Sequence, residues 1–377
     1  MIVRERKGWF SRIGESFGGV IFGFLLFLAS FALLFWNEGR AVRRAQDLEF
    51  GAENVIKANA AAVDAKLNGK LVHVAGAGTA SGPAVDPELG VSGPALTMAR
   101  KVEMYQWRET ARTKKEKKIG GAEESVTEYS YEKTWSDKVI SSSNFRQAGH
   151  DNPTSMPFNA ATFNAPNIKV GAYSLSPDII EMIAPSVALT PAPTKLPQGA
   201  KVVGKEVYLG ANPQSPAVVD VKISYQIAPP GPLSVVGGQQ GQGLVAYMNK
   251  DLNNPVVLLE HGTHSPEMMF KNAEDSNTFL TWALRVVGFL MMFFGLRLIG
   301  RPLSVLADLL PFLGTAVGFV TGIVSFFIAA GLSFVTIAIA WIFYRPLIGI
   351  LLLVLAVGSI VGAILLARKA SKKAATA

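Results

Sequence analysis

The sequence contains no cysteine. That absence excludes disulfides, thiol nucleophiles, iron–sulfur clusters and cysteine-ligated zinc, so any chemistry has to run on histidine, carboxylate, hydroxyl or lysine. Charge is also scarce: Asp, Glu, Lys and Arg make up 17% of the 377 residues, against about 25% in an ordinary soluble domain. Histidine is confined to His73, His150, His261 and His264. The pair in His261-Gly262-Thr263-His264 has neither a carboxylate nor a third histidine at a zinc spacing, and Gly262 reads as a turn. There is no Gly-x-Ser-x-Gly elbow and no P-loop, and Gly76-Ala77-Gly78 lacks the third glycine and following helix of a dinucleotide loop. No metal and no cofactor is expected.

What the chain does have is apolar length. Residues 16–37, 309–344 and 347–367 are free of charged side chains, and runs of 18 or more such residues can cross the hydrocarbon core as helices. The first run is too long for a signal-peptide core and leads directly into Phe35-Trp36-Asn37-Glu38, so it reads as an uncleaved anchor. A fourth run, 278–299, is interrupted by Arg285 and closed by Arg297, both near enough to an end to snorkel. As one straight helix, 309–344 would be about 54 Å long. Its beginning, with Asp308 and Pro311, reads as an interfacial helix; a split at Gly331 into two spans is the alternative.

The expected fold is an integral membrane protein with four transmembrane α-helices and a large β-rich α+β extracytoplasmic domain inserted between helices 1 and 2. The boundaries are 1–16 (short cytoplasmic N-terminus), 17–37 (helix 1), 45–277 (domain), 278–299 (helix 2), 300–312 (cytoplasmic or interfacial loop and helix), 313–342 (helix 3), 346–367 (helix 4) and 368–377 (basic cytoplasmic tail). Residues 45–277 hold 21 Lys+Arg against 24 Asp+Glu, and the remainder 15 against 4. The basic excess therefore flanks the membrane segments, where it anchors to lipid and orients the chain, and it leaves no basic soluble face for nucleic acid.

Within 45–277, residues 219–227 alternate apolar and polar side chains as a half-buried strand does. Residues 71–74, 201–209, 243–248 and 256–259 are further strands. Residues 100–112 and 123–137 form a hairpin with a polar tip, carrying Tyr105, Trp107, Tyr129, Tyr131 and Trp135 as packing aromatics or a ligand platform. Helices begin at Ser176-Pro177 and Ser265-Pro266. Proline and glycine crowd 184–199 and 228–242, which predicts loops. The polar groups most able to do acid–base work are His73, Glu103, Tyr105 and His150, as catalytic candidates without an assigned geometry. At the membrane, Arg285, Arg297, Asp308 and Arg345 need partners or head groups, and Asp308 is expected to pair with Arg297 or Arg301. Gly314, Gly318 and Gly322 form a helix-packing face, turned either to the fourth span or to a second copy.

The sequence resembles the LUMA, or transmembrane protein 43, family. The matches are Asn37-Glu38-Gly39-Arg40-Ala41, Leu71-Val72-His73, Val102-Glu103-Met104-Tyr105-Gln106-Trp107, Tyr129-Ser130-Tyr131, Trp135, Asn144-Phe145, Gly149-His150 and Asn152-Pro153. Further on come Ser276-Asn277-Thr278, Thr281-Trp282, Leu284-Arg285 and Phe343-Tyr344-Arg345-Pro346-Leu347. The resemblance implies four transmembrane helices and a large extracytoplasmic domain. For animal members it also implies the endoplasmic reticulum and inner nuclear membrane, self-association, and emerin and lamins as partners. The short N-terminus, the lack of cysteine and the alanine-rich ends suggest a bacterial member, in which the domain would be periplasmic on the inner membrane of the envelope. The expected function is a non-enzymatic, self-associating multi-pass scaffold in contact with membrane lipids. The alternatives are an envelope lipid sensor or lipid-acting enzyme and, more weakly, a channel subunit.

Overall fold

The computed structural model describes residues 1–347, so most of the expected span 346–367 and the tail 368–377 lie outside the described residues. The described chain divides into two compact units. The first comprises 1–4, 47–114 and 126–274, and the second comprises 5–46, 115–125 and 275 onward. Residues 115–125, expected in one block with the rest of 45–277, thus group with the helices. The helices are α1 (Trp9–Asn54), α2 (Pro177–Ile180), α3 (Pro266–Ile299), α4 (Arg301–Ala307) and α5 (Pro311–Tyr344).

Two large sheets and a two-stranded one, Ala84–Asp86 with Val91–Gly93, carry the first unit, and the strand ends at 5–7, 115–117 and 123–125 group with the second. One large sheet runs in the order Ile2–Lys7, Glu123–Ser136, Thr97–Lys117, Val221–Ala228, Glu206–Leu209 and Ala200–Val203. The other runs Leu258–His261, Gly231–Gln240, Gly243–Val245, Tyr173–Leu175, Lys169–Val170, Leu71–Thr79 and Ile56–Lys57, with Gly231–Gln240 also paired along Leu71–Thr79. Strand alternation assigns each face. Met98, Val102, Met104, Ile223 and Tyr225 of the first sheet meet Val72, Val74 and Val235 of the second in one core. On the opposite face of the second sheet, Leu71 and Val236 pack with Leu48 of α1 and Met269 and Phe270 of α3. The central strands Leu71–Thr79 and Gly231–Gln240 are therefore buried on both faces over much of their length, which explains why their pattern is nearly continuous rather than alternating.

Three local features differ from expectation. Residues 228–242 are not a loop: Gly231–Gln240 is a central strand, and its glycines serve close packing, since a side chain on Gly237 would lie 2.8 Å from the Val245 carbonyl oxygen. Residues 201–209 are two strands joined at Gly204, where φ is +59°. Val219 precedes its strand instead of opening it, with φ at +87°, a left-handed conformation costly for a β-branched residue.

Among the described residues, three helices are long and apolar enough to cross a membrane, Trp9–Asn54, Pro266–Ala307 and Phe312–Tyr344, and the larger part of each belongs to the second unit. The last is unbroken at Gly331. Leu34, Met292 and Ala329 are buried at its centre, with Phe27, Phe289 and Phe293 packed around them. α1 and α3 approach closely through glycine: a side chain on Gly23 would lie 2.8 Å from the Gly295 carbonyl oxygen, and one on Gly288 would strike Leu34.

Candidate functional site

The two-sheet architecture divides the four catalytic candidates. Glu103 and Tyr105 alternate with Val102 and Met104, so they lie on the face of their sheet that turns away from the shared core. His73 alternates with Val72 and Val74, so it lies on the outer face of the other sheet, beneath His264. Packed sheets stand about 10 Å apart, and side chains on opposite outer faces cannot share a hydrogen bond.

Each candidate is also engaged structurally. Nε2 of His73 is 3.0 Å from the His264 carbonyl oxygen; because a carbonyl only accepts, this nitrogen carries the proton. Burial pushes the His73 pKa down, the backbone contact opposing it only in part. Glu103 stands between Lys101 and Lys222, each at 3.3 Å. Tyr105 packs on Trp135 at 5.1 Å between ring centroids, and Lys222 lies over the same indole at 4.9 Å. His150 stacks on Tyr131 at 4.0 Å and meets the edge of Trp107 at 4.5 Å. Asn152 satisfies the backbone beside them: it accepts from Trp107 N–H at 2.7 Å and donates to the carbonyls of Trp107 and Ile140 at 2.8 and 3.0 Å. His261 and His264 close a turn, with the His264 ring against the His261 carbonyl, and the described residues contain no cluster able to hold a metal.

The residues that do converge lie in the second unit, where α1, α3 and α5 meet. Glu38, 2% exposed, accepts two hydrogen bonds from Arg285, Nε to Oε1 at 2.7 Å and Nη2 to Oε2 at 2.8 Å. Trp341 Nε1 donates to the same carboxylate at 2.7 Å. One turn away, Asn37 donates to the Thr281 carbonyl at 3.0 Å, and Arg40 reaches Asn277 Oδ1 at 2.8 Å and Thr281 Oγ1 at 2.9 Å. Asn277 donates back to the Ala41 carbonyl. Gly39 leaves the space that the Tyr344 ring fills, since any β-carbon there would strike it. A charge held in a membrane-level bundle requires partners of this kind, and all but the buried Nε of Arg40 are supplied. Glu38 was not singled out as the partner of Arg285 by its sequence position, although it is the acidic residue that closes the first apolar run.

A second polar cluster marks the other end of α1. Asp308, 1% exposed, pairs with Arg12 at 2.5 Å and Lys117 at 2.6 Å, not with Arg297 or Arg301 as expected. Arg12 also donates to the Gly121 carbonyl, and Glu123 stands 3.5 Å away. The expectation failed because it considered only bases near Asp308 in sequence, and Arg12 is 296 positions distant. The glycine face of α5 turns onto this same region of the chain: Gly314 lies against Asp308, Gly318 against Ser304 and Gly322 against the Arg297 guanidinium. Arg345 follows α5, its N–H bonded to the Trp341 carbonyl.

Three membrane-capable helices, two joined by a buried ion pair and the third by a tryptophan hydrogen bond to the same carboxylate, together with a large β-rich domain define an integral membrane protein of the multi-helix class. The family model described as Transmembrane protein 43 matches residues 104–346. The chain is 35% identical to Transmembrane protein 43 of Mus musculus over 355 residues, covering 91% of this chain and 88% of that protein. It is 34% identical to the Homo sapiens protein over 361 residues (92% and 90%) and 31% identical to the Drosophila melanogaster homolog over 343 residues (88% and 90%). The chain belongs to the transmembrane protein 43 family. These relatives are animal proteins and give no support to the expectation of a bacterial member. No solved structure matches the chain.

Proposed function

We propose that the protein is a non-enzymatic membrane scaffold that self-associates and carries its β-rich domain on the extracytoplasmic face. The observation that carries this reading is the use to which the motif residues are put. Asn37, Glu38, Gly39, Arg40, Asn277, Thr281 and Arg285 spend their polar groups on one another across helices, and the acid–base candidates of the β-rich unit are dispersed and occupied. Residues so engaged fix geometry and leave no general base facing a substrate. A fourth helix through 346–367 completes the proposed topology.

For location, the animal relatives favour the endoplasmic reticulum and inner nuclear membrane that the resemblance implies, over a bacterial inner membrane. In that setting emerin and lamins are the candidate partners, and membrane lipids are partners in either. Mass photometry of the full-length protein in native-lipid nanodiscs tests the reading: particles of several protomers support it, and strict monomers at micromolar concentration remove its main support.

A further inference from the structure

The acidic residues outside 45–277 number four, and three of them are committed. Glu15 pairs with Lys7 at 2.8 Å, Glu38 with Arg285, and Asp308 with Arg12 and Lys117. The fourth, Glu5, lies in the N-terminal strand. Residues 346–377 contain no Asp or Glu. Arg297 is left with no acceptor among the described residues. Arg301 is felt as a charge by Glu15 but forms no ion pair with it among the described residues. The acids of the hairpin tip are taken up as well, Glu116 and Glu124 by Lys118 and Glu123 by Lys115 and Arg12, so among the described residues neither arginine at the level where α3 gives way to α4 forms an ion pair.

They also line one cavity of about 380 Å³, with Phe294, Leu298, Ser304 and Thr321, a size within the range of roughly 300–1,000 Å³ that holds small ligands. The lining has two chemistries. Phe294 and Leu298 supply an apolar wall on α3; the guanidinium groups and two hydroxyls supply the polar end. The Arg297 guanidinium is laid across α5 at Gly322, where an added β-carbon would lie 3.5 Å from Nη1, an ordinary van der Waals contact. Ser304 donates to the Gly314 carbonyl at 2.8 Å and Thr321 to the Val317 carbonyl at 2.8 Å, so their protons are spent and the donors available to an anion are those of the arginines. A guanidinium presents several N–H groups in a planar fork that matches phosphate oxygens.

We infer that Arg297 and Arg301 bind the phosphate of an anionic phospholipid, whose glycerol and proximal acyl carbons lie along Phe294 and Leu298. The apolar wall favours a lipid over free phosphate as the source, and the site is independent of whether the protein self-associates.

Native mass spectrometry of the full-length, detergent-solubilised protein tests this with three probes: dioleoylphosphatidylglycerol, dioleoylphosphatidylcholine and inorganic phosphate. Wild-type protein should retain phosphatidylglycerol in preference to phosphatidylcholine. R297Q/R301Q should reduce that retention at least about tenfold, the scale of losing one charge-assisted contact, while R345Q, which removes a charge at the far end of α5, should not. R297K/R301K keeps the charge and removes the forks, so it should give an intermediate loss; it also serves if the glutamine variant does not fold. Equal retention by wild type and both double variants would overturn the site, as would an equal loss in R345Q, which would mean diffuse surface charge. Arginine-dependent binding of inorganic phosphate without phosphatidylglycerol would overturn the lipid as the source.

Discussion

Arg285 meets Glu38 through two parallel hydrogen bonds, 2.7 and 2.8 Å long, between residues 247 positions apart. This fork joins α3 to α1, and Trp341 of α5 caps the same carboxylate. Three helices are thereby fixed in rotation and height by one buried group. Removing a single partner leaves an uncompensated charge, at a cost of about 3–5 kcal/mol. Glu38→Ala is expected to lower the thermal midpoint in detergent sharply, and Glu38→Ala combined with Arg285→Met to recover part of the loss. A double-mutant cycle with no coupling between the two positions would contradict this account of the junction.

Gly314 and Gly331 lie on the same helix and should respond oppositely to alanine. At Gly314 the new β-carbon falls on the Asp308 carboxylate, and overpacking of this kind costs about 1–3 kcal/mol. At Gly331 nothing stands within 4 Å, so alanine should be neutral or stabilise the helix by up to about 1 kcal/mol. Thermal midpoints of the two variants, measured side by side, check the difference.

His73 gives the β-rich unit a pH dependence of definite sign. Burial lowers its pKa in the folded state below the ordinary 6.5, so the unfolded chain binds the proton more readily. Its contribution to stability is full above pH 6.5 and is lost as pH falls through that value toward the folded pKa. His73→Gln keeps an N–H for the His264 carbonyl and cannot charge. Its thermal midpoint should vary less than that of the wild type between neutral and mildly acidic pH, and an identical pH profile would contradict the assignment.

Asn152 acts as a piece of strand, with one acceptor and two donors facing backbone groups of Trp107 and Ile140. Asn152→Ala should cost about 1–3 kcal/mol through unsatisfied partners. Asn152→Asp should be worse, because it aims a carboxylate oxygen at two carbonyls. Denaturant midpoints of the two variants rank them.

The absence of cysteine makes single-cysteine labelling clean, and it can decide the sidedness of the hairpin tip. Residues 115–125 were expected outside the cytoplasm, and residues 1–16 and 300–312 within it. In the second unit, however, Lys117 and Arg12 share Asp308, and Gly120 N–H donates to the Leu309 carbonyl at 3.0 Å. Ile119, which is 86% exposed, and Arg6 should therefore label from one side of the membrane when replaced singly by cysteine. Labelling from opposite sides would show that these contacts do not form in the bilayer.

What was legible in the sequence was local. Ser265-Pro266 marks the start of α3, the alternation after Val219 marks a strand, and long uncharged runs mark α1 and α5. Gly231–Gln240 was not legible, because the glycines that let a central strand pack closely are the residues that elsewhere make loops. The ion pairs were not legible either. Arg285 needed an acid and Asp308 needed a base, but the partners, Glu38 and Arg12, lie more than two hundred positions away, and nothing in the spacing joins them. The separation of His73 from Glu103 depends on which sheet each strand joins, a property of topology rather than of either motif.

The most direct test of the scaffold reading is the particle mass of the full-length protein in native-lipid nanodiscs across micromolar dilution. The account predicts a closed assembly of more than one protomer that persists on dilution and is weakened by Glu38→Ala. A strictly monomeric particle throughout would contradict it.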